Sequence, residues 1–131
     1  MESTNPQNIS GDWIGFYNYG SSQVRHSMEL NISAVGEVLS GRGMDDVAGF
    51  TISGTLCGDE CFWTKVYDGQ CDNVDYIGFV EAERIWGTWA IDMRVRGGFL
   101  IRPRKGNSPS VASEVPKAIE RVMPSYVGVE R

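Results

Sequence analysis

The sequence predicts an all-β fold: a closed, antiparallel, up-and-down barrel of about eight strands, followed by a short C-terminal helix. Two observations predict it. Apolar and polar residues alternate with a period of two through residues 10–102. Clusters of Gly, Asp, Asn and Ser interrupt the alternation about every eight to twelve residues, so most connections are short enough for hairpins. Sequential strands are therefore expected to be neighbours in one meander.

Turn-forming residues bound the predicted strands in chain order. The first strand, 11–19, ends at GSSQ, and the second, 24–34, is followed closely by the third, 37–42. The fourth strand, 47–56, ends at CGDE, and the fifth, 61–67, ends at DGQCDN. The sixth strand, 74–80, ends at EAER, the seventh is 84–92, and the eighth, 97–102, ends before Pro103.

The chain divides into three expected segments: a flexible N-terminus over 1–10, the barrel over 11–102, and a linker with a short amphipathic helix over 103–131. The linker PRKGNSPSVAS is rich in Pro, Gly and Ser, and in SEVPKAIERVM apolar residues recur at helical spacing. Ser113 can cap that helix, and its first turn tolerates Pro116. A helix of about three turns is marginal alone, so it is expected to need a surface to lie on.

Charge and composition exclude several classes of protein. The net charge of the 131 residues is −5. Residues 1–101 hold 14 acids and 6 basic residues, and residues 102–131 hold 3 acids and 6 basic residues. An acidic body does not favour nucleic-acid binding.

The start MESTNPQNIS resembles no export signal, no apolar run is long enough to span a bilayer, and three cysteines argue for reduced thiols. A soluble, cytoplasmic protein without membrane or nucleic-acid partners is expected.

Pairing the strands through their turns predicts which side chains face inward. In one predicted row Gly54, Trp63, Gly78 and Gly87 lie side by side, so Gly78 and Gly87 are expected to make room for the Trp63 indole and to bend the strands. The predicted inner face also holds large apolar residues from most of the strands: Trp13, Tyr17, Met28, Leu30, Ile32, Phe50, Ile52, Trp63, Tyr76, Trp89 and Ile91.

Strands 1, 6 and 7 are expected to be apolar on the outside as well. An outer apolar patch of this breadth normally marks a covered surface. The tail helix is expected to cover part of it and a second copy of the chain the rest, which predicts a homo-oligomer. The outward residues that predict this contact are Ile14, Phe16, Ile77, Phe79 and Trp86.

The residues Gly11, Asp12 and Trp13, at the start of an eight-strand meander, resemble the Gly, any residue, Trp signature of lipocalins and the wider calycin group, which includes avidins and fatty-acid-binding proteins. The resemblance implies a barrel that holds a small, largely apolar ligand. It also implies that Trp13 plugs one end of the barrel, with Arg102 or Arg96 packed across it. No pattern of residues specifies a particular ligand.

Lys65 is the most unusual residue of the predicted inner face, because a buried charge is costly unless it is paired. One interpretation makes Lys65, with Tyr67 and Tyr76, an anchor for an anionic ligand head. The alternative is an odd-numbered turn that sends Lys65 to solvent and turns Phe62, Thr64 and Val66 inward.

The only histidine, His26, faces Tyr17 in the predicted pairing, although a lone histidine near a strand end is more often simply solvated. The complete set of candidate ligand-binding residues is Lys65, Tyr67, Tyr76, Trp63, Trp89, Tyr17 and His26.

Other chemistry has no positive signal. Cys57 and Cys61 flank one turn and Cys71 lies in the next, about 20 Å away along a strand, which excludes shared zinc coordination. The stretch SGRGMDDVAG lacks the strand-to-helix setting of a phosphate loop, so Asp45 and Asp46 are expected to hydrogen-bond to the local backbone of a turn. A haem is not favoured, and no nucleophile, base and orienting acid can be assembled. No catalysis, cofactor or metal is expected.

Two functions remain open from the sequence. The first is a non-catalytic barrel that binds a small, largely apolar and possibly anionic ligand in its lumen. The second is a structural or protein-interaction module with a filled core and no ligand. Crowded aromatic residues favour the second function, whereas Lys65 and the small residues beside it favour the first.

Overall fold

The computed structural model describes residues 9–70, 72–92 and 94–104, and the eight strands form a closed antiparallel barrel in which each strand pairs with the next and β8 pairs with β1. The predicted barrel is therefore confirmed. The predicted C-terminal helix and residues 1–8 of the N-terminus lie outside the described residues. The strands are β1 (Gly11–Tyr19), β2 (His26–Val35), β3 (Val38–Asp45), β4 (Gly49–Cys57), β5 (Glu60–Tyr67), β6 (Asn73–Glu81), β7 (Arg84–Ile91) and β8 (Val95–Pro103).

The third strand is longer than predicted, because it continues to Asp45 instead of ending at 42. Its glycine-rich sequence has the composition of a turn. Both of its edges are nevertheless paired, since Gly43 lies opposite Leu30 on β2 and opposite Phe50 on β4. The ladders on both sides hold the backbone extended where local propensity alone does not.

The two ends of the barrel differ. The connections β1–β2, β3–β4, β5–β6 and β7–β8 lie at one end, which we call the mouth, and the other three hairpins lie at the opposite end. Trp13 closes that opposite end: its side chain is buried, and its Nε1 donates a hydrogen bond to the carbonyl oxygen of Ile9 at 2.9 Å. This position agrees with the plug that the resemblance implies.

Neither arginine suggested by the resemblance packs across Trp13 from the inner face. Arg102 lies opposite Ile14, one position out of phase with Trp13, and therefore faces outward. Arg96 lies at the mouth, near the start of β8, and is exposed. The side chains that share the closed end with Trp13 on the inner face include Leu30 and Ile32.

The barrel interior is filled by side chains from all eight strands. Trp63 stacks on Tyr76 with ring centroids 5.4 Å apart and an interplanar angle of 20°. Phe99 meets both rings, at 4.9 Å from Tyr76 and 5.7 Å from Trp63. All of the predicted inner-face residues are buried except Ile91, which is partly exposed. Phe99 is a large inner residue that the predicted inner face did not include.

The strand registers are as predicted between β1 and β2, β4 and β5, and β6 and β7, but they differ by two residues between β5 and β6. Trp63 pairs with Tyr76 rather than with Gly78, and Lys65 pairs with Val74. A shift of two residues keeps every side chain on its face, so Lys65 still points inward. The alternative in which strand 5 is flipped is therefore wrong.

The role predicted for Gly78 is corrected by this register. A Cβ atom at Gly78 would lie 3.0 Å from Ile85 Cγ2, 3.1 Å from Cys61 Sγ and 3.1 Å from Phe99 Cζ. The space beside Gly78 therefore belongs to these three side chains and not to Trp63. Gly87 differs, because a Cβ there would lie 1.9 Å from the carbonyl oxygen of Ile77. At Gly87 the backbone of the neighbouring strand comes too close for any side chain.

The outer surface carries the apolar residues that the sequence predicted, which we call the outer strip: Ile14, Phe16, Ile77, Phe79 and Trp86. Ile77 is 45% exposed, and the rings of Phe79 and Trp86 lie 5.2 Å apart. Leu100 faces outward between Phe16 and Trp86 and is only 1% exposed. The strip therefore runs continuously across β6, β7, β8 and β1. No helix among the described residues is long and apolar enough to cross a membrane.

Candidate functional site

A cleft of about 170 Å³ opens into the mouth of the barrel. Five of the seven predicted ligand-binding residues line it, namely Tyr17, Lys65, Tyr67, Tyr76 and Trp89. The prediction missed the other lining residues, which come from the rim and the connections at this end: Tyr19, Val47, Gln70, Asp72, Val74 and Ile91.

The two remaining predicted residues lie next to the cleft without lining it. The His26 ring stacks on Tyr17 with centroids 5.0 Å apart and an interplanar angle of 24°. Trp63 lies deeper, against Tyr76, where it is part of the filled core. The alternation along the strands placed all seven residues on the inner face. It did not predict how deep each one lies in the barrel, and that depth decides which of them line the cleft.

Lys65 and Asp45 form a buried ion pair at the floor of the cleft. The Lys65 Nζ lies 2.6 Å from Asp45 Oδ2, and the side chains are 2% and 0% exposed. The Tyr67 hydroxyl donates a hydrogen bond to the same carboxylate oxygen at 2.6 Å. The backbone N–H groups of Val47 and Ala48 donate to Asp45 Oδ1 at 2.8 and 3.3 Å, which confirms the predicted turn at Asp45.

Four aromatic rings surround the Lys65 ammonium group. Its Nζ lies 4.6 Å from the ring centroid of Phe50, 4.8 Å from Tyr67, 5.1 Å from Tyr17 and 5.3 Å from Tyr76. Burial lowers the pKa of Lys65, and the contact with Asp45 opposes that change. Because carboxylate and rings already stabilise the ammonium, Lys65 needs no anion from a ligand.

Sequence reasoning missed Asp45 as the partner of Lys65, although a signal was present. The prediction ended the third strand at 42, so Asp45 was assigned to a turn. Gly41 and Gly43 both lie on the inner face, in phase with Ile52 and Phe50. Extending that alternation by one step places Asp45 inside, where a buried lysine requires a counter-charge.

A second hydrogen-bonded group lies at the rim. The Tyr17 hydroxyl donates to Asp46 Oδ1, and His26 Nδ1 lies 2.6 Å from Asp46 Oδ2. Burial raises the pKa of Asp46, but the hydrogen bonds from Tyr17 and His26 outweigh it, so the pKa is lowered. Burial, followed by the contact with Asp46, raises the pKa of Tyr17, and burial, followed by the contact with Asp45, raises that of Tyr67.

The rim itself is aromatic. Tyr19 is 42% exposed, and its ring meets Trp89 at 5.1 Å and His26 at 5.3 Å, in both cases nearly edge to face. The Trp89 indole N–H donates to the carbonyl oxygen of Asn18 at 3.1 Å. The indole of Trp89 is thus held in place by the backbone of β1, and Tyr19 is the most exposed ring at the cleft.

The two described cysteines, Cys57 and Cys61, are free thiols. Cys61 is buried, and burial raises its pKa to about 12, so its thiol is not ionised near neutral pH. Cys57 is exposed, and Cys71 lies outside the described residues. Within the described part of the chain, no three side chains of the types His, Cys, Asp and Glu are grouped so that they could hold a metal ion.

A larger, shallower groove of about 540 Å³ crosses the outside of β1 to β4. Four of its five charged side chains form ion pairs: Arg104 lies 3.1 Å from Glu29, and Arg42 lies 3.4 Å from Asp68. The fifth, Asp12, accepts a hydrogen bond from Asn31 at 2.9 Å. The side chains of both pairs are about half or more exposed, so the attraction within each pair is weak. The described charged and amide side chains that line the groove are all exposed, which makes the mouth the stronger candidate.

Comparison of the chain with models of known protein families gives no match, and comparison with curated proteins also gives none. The function must therefore be argued from the geometry of the barrel and its mouth.

Proposed function

We propose that the protein is a non-catalytic, calycin-like barrel that binds a small, largely apolar molecule at its mouth. The observation that carries the proposal is the cleft of about 170 Å³ lined by Tyr17, Tyr19, Tyr67 and Trp89. Concave sites lined by aromatic side chains, with a few fixed polar groups, are the usual form of small-molecule sites.

The size of the cleft restricts the ligand. Common sites for drug-sized ligands have volumes of about 300 to 1,000 Å³, and this cleft is smaller. The deeper interior contains the packed rings of Trp63, Tyr76 and Phe99. This filling supports binding at the mouth rather than deep in the lumen.

The hydrogen bonds at the cleft support an apolar ligand. The hydroxyls of Tyr17 and Tyr67 and the ammonium of Lys65 already donate to carboxylates of the protein. The Trp89 indole N–H is also engaged. A ligand would therefore contact ring surfaces and the aliphatic side chains of the lining, which favours shape and apolar area over hydrogen bonding.

The experiment that tests the proposal is native mass spectrometry of the full chain purified from its own cells. We expect a small retained mass on the wild-type protein and its loss from Tyr19→Ala, which removes the most exposed ring of the cleft. The matched control is Phe62→Ala, because Phe62 is a similarly exposed ring, at 40%, on the outer face of β5. Repeated absence of a retained mass, or equal retention by Tyr19→Ala, would contradict binding at the mouth.

The second candidate function is a structural or protein-interaction module that binds no ligand and associates through the outer strip. The filled core favours it, because large rings occupy most of the lumen. The continuous apolar strip across four neighbouring strands favours it as well. Under this proposal the partner is a second copy of the chain, as the sequence predicts.

A further inference from the structure

The charges that line the mouth cleft do not balance. Among the described residues, the only charged side chains that line it are Lys65 and Asp72. Asp45 lies behind Lys65 at 2.6 Å and neutralises its charge. The charge of Asp72, an exposed residue at the start of β6, is left over on the wall of the cleft.

Asp46 adds to the negative charge around the cleft. Its carboxylate binds the hydroxyl of the lining residue Tyr17. A proton on His26, the other partner of Asp46, would balance that one carboxylate and leave Asp72 unchanged. Loss of the Lys65 proton, which burial favours, would free the charge of Asp45 and make the cleft more negative. In every one of these protonation states the charges of Lys65, Asp45, Asp46, His26 and Asp72 sum to a negative value.

The same negative charges act on the tyrosine hydroxyls. Burial and the neighbouring carboxylates raise the pKa values of Tyr17 and Tyr67, so a further negative charge is disfavoured at both hydroxyl positions. An anionic ligand head in the cleft would lie beside these hydroxyls and meet the same carboxylates. The expectation of an anionic ligand, which rested on Lys65 with Tyr67 and Tyr76, therefore loses its support.

The rings of the cleft suit a positive charge. Aromatic rings attract a cation placed over their faces within about 6 Å, and aromatic groups of this kind recognise quaternary ammonium ions. The floor of the cleft already contains an example, because the Lys65 ammonium lies among four rings at 4.6 to 5.3 Å. Above it, Tyr19 and Trp89 provide further rings, and both line the same cleft as Asp72.

We propose that the ligand of the mouth is a small organic cation, an ammonium compound held between the rim aromatics and the carboxylate of Asp72. This inference rests on the proposed function, because it assigns a charge to the ligand of the same cleft. Tyr19 and Asp72 are exposed at the mouth, Trp89 is buried beside Tyr19, and the Lys65–Asp45 pair remains the closed floor.

Three probes of the same shape and different charge test the inference: choline, 3,3-dimethyl-1-butanol and 3,3-dimethylbutanoate. Each is titrated into the full chain while NMR follows the backbone amide of Tyr19 and the indole N–H of Trp89. We expect choline to bind about tenfold more tightly than the neutral alcohol, the size that cation–π and charge contacts commonly supply. The carboxylate is expected to bind most weakly.

Two variants locate the source of the preference. Asp72→Asn removes the exposed carboxylate of the cleft and is expected to weaken choline binding several-fold while leaving the alcohol unchanged. Asp59→Asn makes the same charge change in the β4–β5 hairpin at the closed end and is expected to alter neither. Tighter binding of the alcohol or of the carboxylate than of choline, or unchanged choline affinity in Asp72→Asn, would overturn the inference and leave mouth binding intact. Binding of none of the three probes at the mouth would count against both the inference and the proposed function.

Discussion

At the scale of single residues, the ion pair between Lys65 and Asp45 is the central feature of the molecule. A lysine in a barrel core is costly unless a counter-charge and hydrogen bonds accompany it. Here Asp45 provides the counter-charge. The Tyr67 hydroxyl and two backbone N–H groups donate hydrogen bonds to its carboxylate. The pair also ties the β3–β4 turn to β5, which positions the rim of the mouth.

Replacing only one member of the pair should destabilise the protein. We expect Lys65→Met to lower the free energy of unfolding by about 3 to 5 kcal/mol, because it leaves the Asp45 carboxylate buried without its cation. Urea unfolding measures the change. The double variant Lys65→Met/Asp45→Asn should recover part of the loss.

The matched control for that prediction is Arg42→Met, which breaks the exposed pair with Asp68. Exposed pairs contribute about 0 to 1 kcal/mol, so this variant should remain close to wild type. If Lys65→Met unfolds at the same urea concentration as Arg42→Met, the Lys65–Asp45 pair is not the buried, mutually dependent pair described above.

At the scale of strands, small residues decide how the sheet bends and closes. The alternation along each strand was predicted because it is local, and it placed the side chains on their correct faces. The offset between β5 and β6 was not predicted, because it depends on how the β5–β6 connection closes and on how Trp63, Tyr76 and Phe99 share the interior. The same offset changed the partner of Gly78.

The two facing glycines of β6 and β7 should respond differently to substitution by alanine. At Gly87 a Cβ would collide with the backbone carbonyl of Ile77, which cannot move without breaking the ladder. We expect Gly87→Ala to cost about 3 kcal/mol. At Gly78 the neighbours are side-chain atoms at 3.0 to 3.1 Å, which can yield, and we expect Gly78→Ala to cost about 1 kcal/mol.

Chemical denaturation of the two single variants under the same conditions measures the difference. The ranking is the result that matters, since both changes add one methyl group at paired positions of one hairpin. A larger loss for Gly78→Ala than for Gly87→Ala would show that the close approach of β6 and β7 is not the constraint on Gly87.

At the scale of the whole molecule, the barrel is closed, filled, and covered by apolar residues on part of its outside. Closure removes free strand edges, so association must use side chains rather than strand pairing. The outer strip is the apolar surface that the strand order makes continuous, with Leu100 already buried within it. The proposal that two copies of the chain associate therefore depends on the outer strip.

Sedimentation velocity of the full chain tests that proposal. We expect Ile77→Lys to shift the protein towards the monomer, because it places a charge on the most exposed residue of the strip. Val38→Lys is the control, since Val38 is also exposed, at 62%, but lies on the outer face of β3. A wild-type chain that sediments as a monomer at all concentrations would remove the oligomer proposal.

Alkaline pH should destabilise the fold as a whole. Burial raises the pKa of Tyr17, Tyr67 and Tyr76 above the ordinary value of 10.0. Above pH 10 the unfolded chain loses these protons while the folded protein keeps them, so the folded state binds more protons and stability falls as pH rises. The stabilisation from these protons is fully present below about pH 10. Above that pH the free energy of unfolding falls by at most about 1.4 kcal/mol per pH unit for each tyrosine.

Cys61 contributes in the same direction, because burial raises its pKa from 9.0 to about 12. The measurement is the free energy of unfolding as a function of pH, combined with phenolate absorbance of the native protein. Tyr67→Phe should give a shallower slope than wild type above pH 10. A slope that does not change in the variant, or phenolate formation by Tyr67 in the folded protein near pH 10, would contradict the assignment.

By itself the sequence determined the number of strands, their order, the closure of the meander and the face on which most of the large side chains lie, because all of these follow from local alternation and short turns. Only the tertiary structure decided the β5–β6 register, the presence of Phe99 beside Gly78, the pairing of Lys65 with Asp45 and the small volume of the mouth cleft. These features depend on contacts between residues far apart in the chain and on how their volumes fill one shared interior. Local alternation carries no information about that packing.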